Sequence, residues 1–255
     1  MSRLKHCAVV LTLWVACPAM MSAGTITNVV ETGGDNEPTD TITAKWTGVT
    51  WDVTVNNEPV PGLVVGQPYT AGFFGNLAPV FVDRGHRYAN DAANNFSIPA
   101  YLVGGEYIMS GNDNRDNAGY RLDVSVSTPA RVYMLIDNRL SDGSNANPPT
   151  FDATHMQWIL DELWNATTTG LNRFANPGVP DEVPIDESSD GTINQYYSVY
   201  WKDFPAGTFR LLQADNAGRN MYGVVVQPIP EPSTVVMLLT AAVLVFLGRT
   251  LRRRG

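Results

Sequence analysis

Cysteine is almost absent. The 255 residues contain two, Cys7 and Cys17, both inside one apolar N-terminal run, so the rest of the chain has no thiol. Disulfide scaffolds, thiol nucleophiles and cysteine-based zinc sites are excluded there. Histidine is nearly as scarce, at three. His6 belongs to the same N-terminal segment; His86 lies in the charged run Asp83-Arg84-Gly85-His86-Arg87, and His155 opens a predicted helix. Neither has the compact spacing that marks a zinc site. A serine nucleophile would need one of them as its base, and no Gly-x-Ser-x-Gly elbow is present. Only a pair of carboxylates facing each other in space escapes this elimination, because its separation is not written along the chain. No catalytic residue is therefore assigned, and the chain is expected not to be an enzyme.

Basic residues are also few. Lys and Arg total 17 against 25 Asp and Glu, for a net charge of -8. Six of the 17 sit at the ends: Arg3, Lys5, Arg249, Arg252, Arg253 and Arg254. Setting those six and Glu231 aside leaves 11 against 24, a balance of -13 for the body. Such an acidic surface opposes nucleic acid and anionic lipid as partners.

The two ends carry targeting chemistry. Arg3, Lys5 and His6 precede the apolar run Cys7 to Cys17, and small residues follow at Ser22, Ala23 and Gly24. This is the pattern of a secretory signal peptide over 1–24, cut near Ala23 or Gly24. Lipidation at Cys17 is a rival, since Val15-Ala16-Cys17 partly matches a lipobox, although Trp14 stands where that pattern wants an aliphatic residue. At the other end, Pro230, Glu231, Pro232 and Ser233 run into an apolar stretch from Val235 to Leu247, closed by Arg249 and Arg252-Arg253-Arg254. A helix over 234–248 spans roughly 21 Å at about 1.5 Å per residue, short for a hydrocarbon core of about 30 Å. Terminal arginines and local thinning accommodate that mismatch, and the arginines favour the cytoplasmic side. Pro230 and Pro232 keep the preceding chain extended and leave Glu231 accessible.

The order of proline-flanked acid, short apolar helix and terminal arginines resembles the PEP-CTERM sorting signal of exported bacterial envelope proteins. That resemblance implies a membrane-embedded exosortase-type enzyme that recognises Pro230, Glu231 and Pro232 and removes the tail, 228–255. It also implies passage through the secretory translocon and signal peptidase, a transient inner-membrane anchor, and association with exopolysaccharide in the envelope or outside the cell. An ordinary tail anchor is the alternative.

Between the signals, 25–227 is long enough for one domain with its own core. Its apolar period is two: Trp51, Val53 and Val55; Leu122, Val124 and Val126; Val132, Met134 and Ile136. Further strands are expected at Thr41 to Trp46, Tyr101 to Met109, Gln195 to Trp201, Thr208 to Leu212 and Met221 to Val226. Turn clusters such as Gly111-Asn112-Asp113-Asn114 and Ser141-Asp142-Gly143-Ser144 separate them. One helix is predicted over His155 to Ala166, capped by Asp152 or Thr154. Thr32 to Asp40 reads as an arm, and Asn176 to Asp190, rich in proline and acids, as a long surface loop. The fold class expected is all-β, an antiparallel β-sandwich with one short helix. Tyr107-Ile108, Asn112 to Arg115, Arg131 to Arg139, Trp158, Thr167 to Gly170, Val199-Tyr200 and Pro205 to Phe209 are similar to jelly-roll, galactose-binding-like modules of secreted bacterial proteins. This likeness covers roughly Ala100 to Val226.

Two candidate ligand sites follow. Asn112, Asp113, Asn114 and Asp116 offer hard oxygens within one loop, which Ca2+ accepts, although Asn117 stands where an EF-hand-like loop needs glycine and an Asx-rich turn explains the same residues. Asp137, Ser141 and Asp142 form a similar group. Trp46, Trp51, Trp158, Trp164 and Trp201 could stack on sugar rings, but aromatics on strands and amphipathic helices more often fill the core; if one is exposed to face a glycan, Trp158 or Trp201, each beside polar neighbours, is the candidate. Three functions are weighed: a non-enzymatic envelope protein, a specific carbohydrate-binding module marked by an exposed aromatic platform or a calcium site, and a secreted hydrolase marked by opposed carboxylates.

Overall fold

The computed structural model describes residues 24–34, 54–55, 58–59, 73–81, 83–216 and 218–230. The expected signal peptide, the strand over Thr41 to Trp46 and the tail helix over 234–248 lie outside them. In chain order the strands are β1 (Ile26–Thr32), β2 (Thr54–Val55), β3 (Glu58–Pro59), β4 (Arg87–Tyr88), β5 (Glu106–Ile108), β6 (Arg121–Val126) and β7 (Ala130–Asp137). After the helix α1 (Trp158–Asp161) come β8 (Asn165–Ala166), β9 (Glu182–Asp186), β10 (Gln195–Phe204), β11 (Gly207–Leu212) and β12 (Gly223–Pro228).

The chain is all-β, and every strand pairing among the described residues is antiparallel. One sheet has the order β1-β6-β11; the larger runs β4-β9-β10-β7-β12-β5, with β8 also paired to β10. Strand β6 alternates half-exposed and buried residues along its length, as a strand with one face on the core must. In β7 only Arg131 escapes full burial, because β7 lies between β10 and β12 and its β-branched, aromatic and long apolar side chains find cover on both faces. Leu122, Val124, Phe209 and Leu211 of the small sheet share one core cluster with Val132, Met134, Val199 and Val224 of the large one.

Both ends of the body meet at one pole. The amides of Thr25 and Ile26 donate to the Glu106 carboxylate, Ser127 N donates to Thr25 O at 2.8 Å, and Ile229 N donates to Pro129 O at 2.9 Å. Pro228 is paired with Ala130.

Four expectations need correction. The helix is four residues long rather than twelve: Met156 and Leu163 have φ of 48° and 60°, outside the right-handed region that a helix requires. Its first residue follows Gln157, with no side-chain cap; Asp152 instead accepts from Thr154 N at 2.8 Å as a turn. The strand expected over Tyr101 to Met109 is confined to β5, since a turn occupies the residues before it and Gly104 has φ 85°. The segment read as a surface loop, Asn176 to Asp190, contains β9, all five of whose residues are buried. Pro184 fits because its carbonyl accepts from Ala89 N at 3.1 Å, so its missing N–H points to the same edge, past the end of the two-residue β4. Burial raises the pKa of the Glu182 carboxyl while Arg173 works the other way; Asn138 Nδ2 donates to it at 2.8 Å and Arg173 N at 3.1 Å. Thr32, read as the start of an arm, is the last residue of β1.

Candidate functional site

The register of the large sheet brings an aromatic and hydroxyl-rich groove together. Tyr133 of β7 stands opposite Trp201 of β10, and Arg131 opposite Asp203; β8 sets Asn165 beside Trp201. Two residues apart on one strand, Arg131 and Tyr133 share a face. Arg131 binds Asp203 through Nε at 2.7 Å and Nη2 at 2.8 Å, and its guanidinium lies 3.9 Å from the Trp201 ring centre. The Tyr101 ring comes in from a loop, 5.4 Å from that of Tyr133. Its hydroxyl donates to Asp181 Oδ2 at 2.9 Å. Asp181 is fully buried and accepts from Thr169 N at 2.9 Å, Thr169 Oγ1 at 2.7 Å and Leu171 N at 3.0 Å. One carboxylate thus shapes the threonine loop and fixes Tyr101. The groove encloses about 410 Å³.

The charge states in the groove are settled. Burial raises the pKa of the Tyr101 phenol above its ordinary value, with Asp181 adding to the shift. Burial also raises Tyr133, against a pull from Arg131. Both remain protonated at neutral pH, the Tyr101 proton being the one donated to Asp181. The hydrogen bonds that Arg131 donates to Asp203 hold its pKa above the usual value against burial. The lining consists of Tyr101, Arg131, Tyr133, Trp201, Ala166 and the threonines 167–169, with no carboxylate or histidine. Such a lining offers aromatic faces to C–H groups; the hydroxyl protons of Tyr101, Thr167 and Thr169 are donated to Asp181 and Val199 O, which leaves their oxygens as acceptors.

Protein-family models, curated proteins and solved structures give no match to this chain.

Of the two tryptophans expected to face a glycan, Trp201 lines the groove. Trp158 is 7 % exposed, packs edge-on against Trp164 and Tyr222 and donates Nε1 to Gln213 O at 2.9 Å; it is a core residue. The oxygens of the expected calcium loop go to separate protein partners. Asn112 Oδ1 accepts from Met221 N at 2.9 Å and its Nδ2 donates to Asn220 Oδ1 at 3.1 Å. Asp113 meets Arg84 at 3.3 Å, Asn114 Oδ1 accepts from Asn117 at 3.2 Å, and Asp116 lies 3.7 Å from Arg115. Among the described residues no three His, Cys, Asp or Glu are grouped to hold a metal ion. Asp137, the head of the other oxygen group, binds Arg139, while Ser141 and Asp142 line a separate polar cavity of about 470 Å³ with Arg219 and His155. Pro230 is exposed at the end of the described chain; Glu231, Pro232 and the arginines 249 and 252–254 lie outside it. Among the described residues no helix is long and apolar enough to cross a membrane.

Sequence reading named Trp201 and missed Tyr101, Tyr133, Arg131 and Thr169. A signal for two of them was present: the face of β7 opposite Val132 and Met134 carries Arg131 and Tyr133, an arginine and an aromatic two residues apart. Tyr101 and Thr169 reach the groove through Asp181, a contact across 80 positions for the tyrosine, and nothing local announces it.

Proposed function

We propose that this is an exported, non-enzymatic envelope or extracellular-matrix protein, held for a time at the inner membrane by its tail, released by an exosortase-type enzyme, and in contact with surface exopolysaccharide through the Tyr101, Tyr133 and Trp201 groove. The sorting half rests on Ile229-Pro230-Glu231-Pro232-Ser233 followed by the apolar stretch and the arginine cluster. The glycan half is carried by the groove, whose aromatic faces and hydroxyl oxygens suit a neutral sugar ring and whose lining has no carboxylate or histidine. A finer fold reading belongs here as well: the two sheets form the layers of a jelly-roll-like sandwich, supported by the core cluster they share and by the Tyr222 hydroxyl that donates to Leu212 O at 2.8 Å.

Two experiments test the halves separately. In the native host, intact mass and fractionation of the wild type should show both ends removed, and Glu231→Ala should keep the tail and stay with the membrane. A complete tail in the membrane in both forms would leave a simple tail-anchored ectodomain. For the groove, Trp201→Ala should weaken retention by the host's exopolysaccharide in affinity electrophoresis about tenfold, the loss of one aromatic contact. Unchanged retention would remove the groove from the proposal.

A further inference from the structure

We infer that Thr25 is the first residue of the exported protein and that Glu106 is the built-in counter-ion of its α-ammonium. This rests on the export reading above and adds to it a cut site and a partner.

Two independent observations meet at one atom. In the sequence, Ser22-Ala23-Gly24 places small residues three and one positions before Thr25, as a signal-peptidase site requires; a cut one residue earlier would put Met21 at the outer of those positions. In the structure, Thr25 N donates to Glu106 Oε1 and Ile26 N to Oε2 at 3.0 Å. Both oxygens of a carboxylate 80 residues away are turned on the start of the chain. No Lys or Arg among the described residues pairs with Glu106, so the carboxylate holds two amides and lacks a cation. Hydrolysis of the Gly24–Thr25 bond supplies that cation: the water's hydroxyl goes to the Gly24 carbonyl carbon, the C–N bond breaks, the water's other proton goes to Thr25 N, and the new Gly24 carboxyl group gives up its proton to complete the ammonium and leaves as a carboxylate. A Cβ on residue 24 would stand 3.1 Å from both Glu106 oxygens, a space that the glycine leaves open. Thr25 is 5 % exposed; the cut therefore precedes the docking of β1, in keeping with export of an unfolded chain.

An ammonium next to Glu106 has its pKa raised above the ordinary value of about 7.7–8.0. The added stability is then fully present below about pH 7.7 and disappears as pH rises through the folded pKa. An amide at the same position does not titrate.

The test is the N-terminal sequence and intact mass of the protein recovered from its native host, followed by thermal melts of the wild type and Glu106→Gln between pH 6 and 10. A chain beginning at Thr25, with a melting-temperature gap between the two proteins that is wide at pH 6 and closes toward pH 10, is the expected result. A chain that begins elsewhere after 1–24 has been partly removed overturns the assignment and leaves the export reading standing. A chain beginning at Met1 overturns both. If the chain begins at Thr25 but the gap does not change with pH, Glu106 is not the counter-ion. The mass result stands even where Glu106→Gln does not fold.

Discussion

Alanine at Asp137 is expected to cost the fold about 3–5 kcal/mol, the range for removing one partner of a buried ion pair. The side chain has no exposure to solvent. Its carboxylate accepts from Arg139 N at 2.9 Å, from Arg139 Nε and Nη2 at 3.0 and 2.7 Å, and from Asn220 N at 3.2 Å. Burial opposes the Arg139 charge, and the hydrogen bonds and charges of Asp137 and Glu187 outweigh it, so that the guanidinium's pKa lies above its ordinary value. Without the carboxylate that cation stays in place with only Glu187 at 3.6 Å, and the Asn220 N–H loses its acceptor. The damage spreads, because Asn220 Nδ2 also donates to Gln195 at 2.6 Å and its Oδ1 accepts from Asn112. Denaturant titration measures the loss directly, with Asp137→Asn as a volume-preserving control expected to lose less. A cost below about 1 kcal/mol would place the stability of this region in its apolar packing rather than in the ion pair.

Asp83 should make the protein less stable as pH rises from about 4 to 6. Burial pushes its carboxyl up from 3.8 to about 6; nearby Asp113 adds to the shift, and the Asn112 amide and Arg84 oppose it. The folded form therefore binds its proton more tightly than the unfolded form does. The sign follows: the contribution is complete below pH 3.8 and is lost as pH passes through about 6. Two units correspond to about 3 kcal/mol. The amide in Asp83→Asn does not titrate and still accepts from Asn112 N, a bond of 2.7 Å in the wild type. Unfolding free energies measured from pH 4 to 7, which spans most of that range, should fall by about 2 kcal/mol more in the wild type than in the variant. Parallel curves would mean that Arg84 and Asn112 hold the carboxylate ionised throughout.

These two aspartates also mark where the sequence is readable and where it is not. Strands β6, β7 and β11 are legible because each has apolar residues at a period of two, which burial on a pleated face requires, and β10 and β12 because they are runs of aromatic and β-branched residues. Strand β9 is not, because Glu182 and Asp186 are buried through donors from other parts of the chain, Asn138 and Arg173 for one and Gly191 N at 2.8 Å for the other. Taken alone, acids beside prolines look like a solvated loop. The helix was overextended for a related reason: Met156, Ile159, Leu160, Leu163 and Trp164 do have helical spacing, but the backbone at Met156 and Leu163 turns left-handed, and Leu163 is 78 % exposed. Asn112 was noticed for its oxygens, which serve Met221 and the Asn220 network instead of a cation. Of the groove, Trp201 could be picked out as an aromatic among polar neighbours; Tyr101 could not, since its place depends on a carboxylate far along the chain.

The entry of the tail into β12 sets how the body answers a pull. β12 lies between β7 and β5, with Pro228 paired to Ala130 and Val226 to Glu106. Tension transmitted through Pro228 runs along the strand axis, so the ladders on both sides are loaded in shear and must yield together rather than unzip one bond at a time. Drag on a surface polymer held in the groove would be carried toward such an anchor through β7 and β12, which are neighbours in the large sheet. If the tail anchors the chain as proposed above, the domain resists force along the line of that tether.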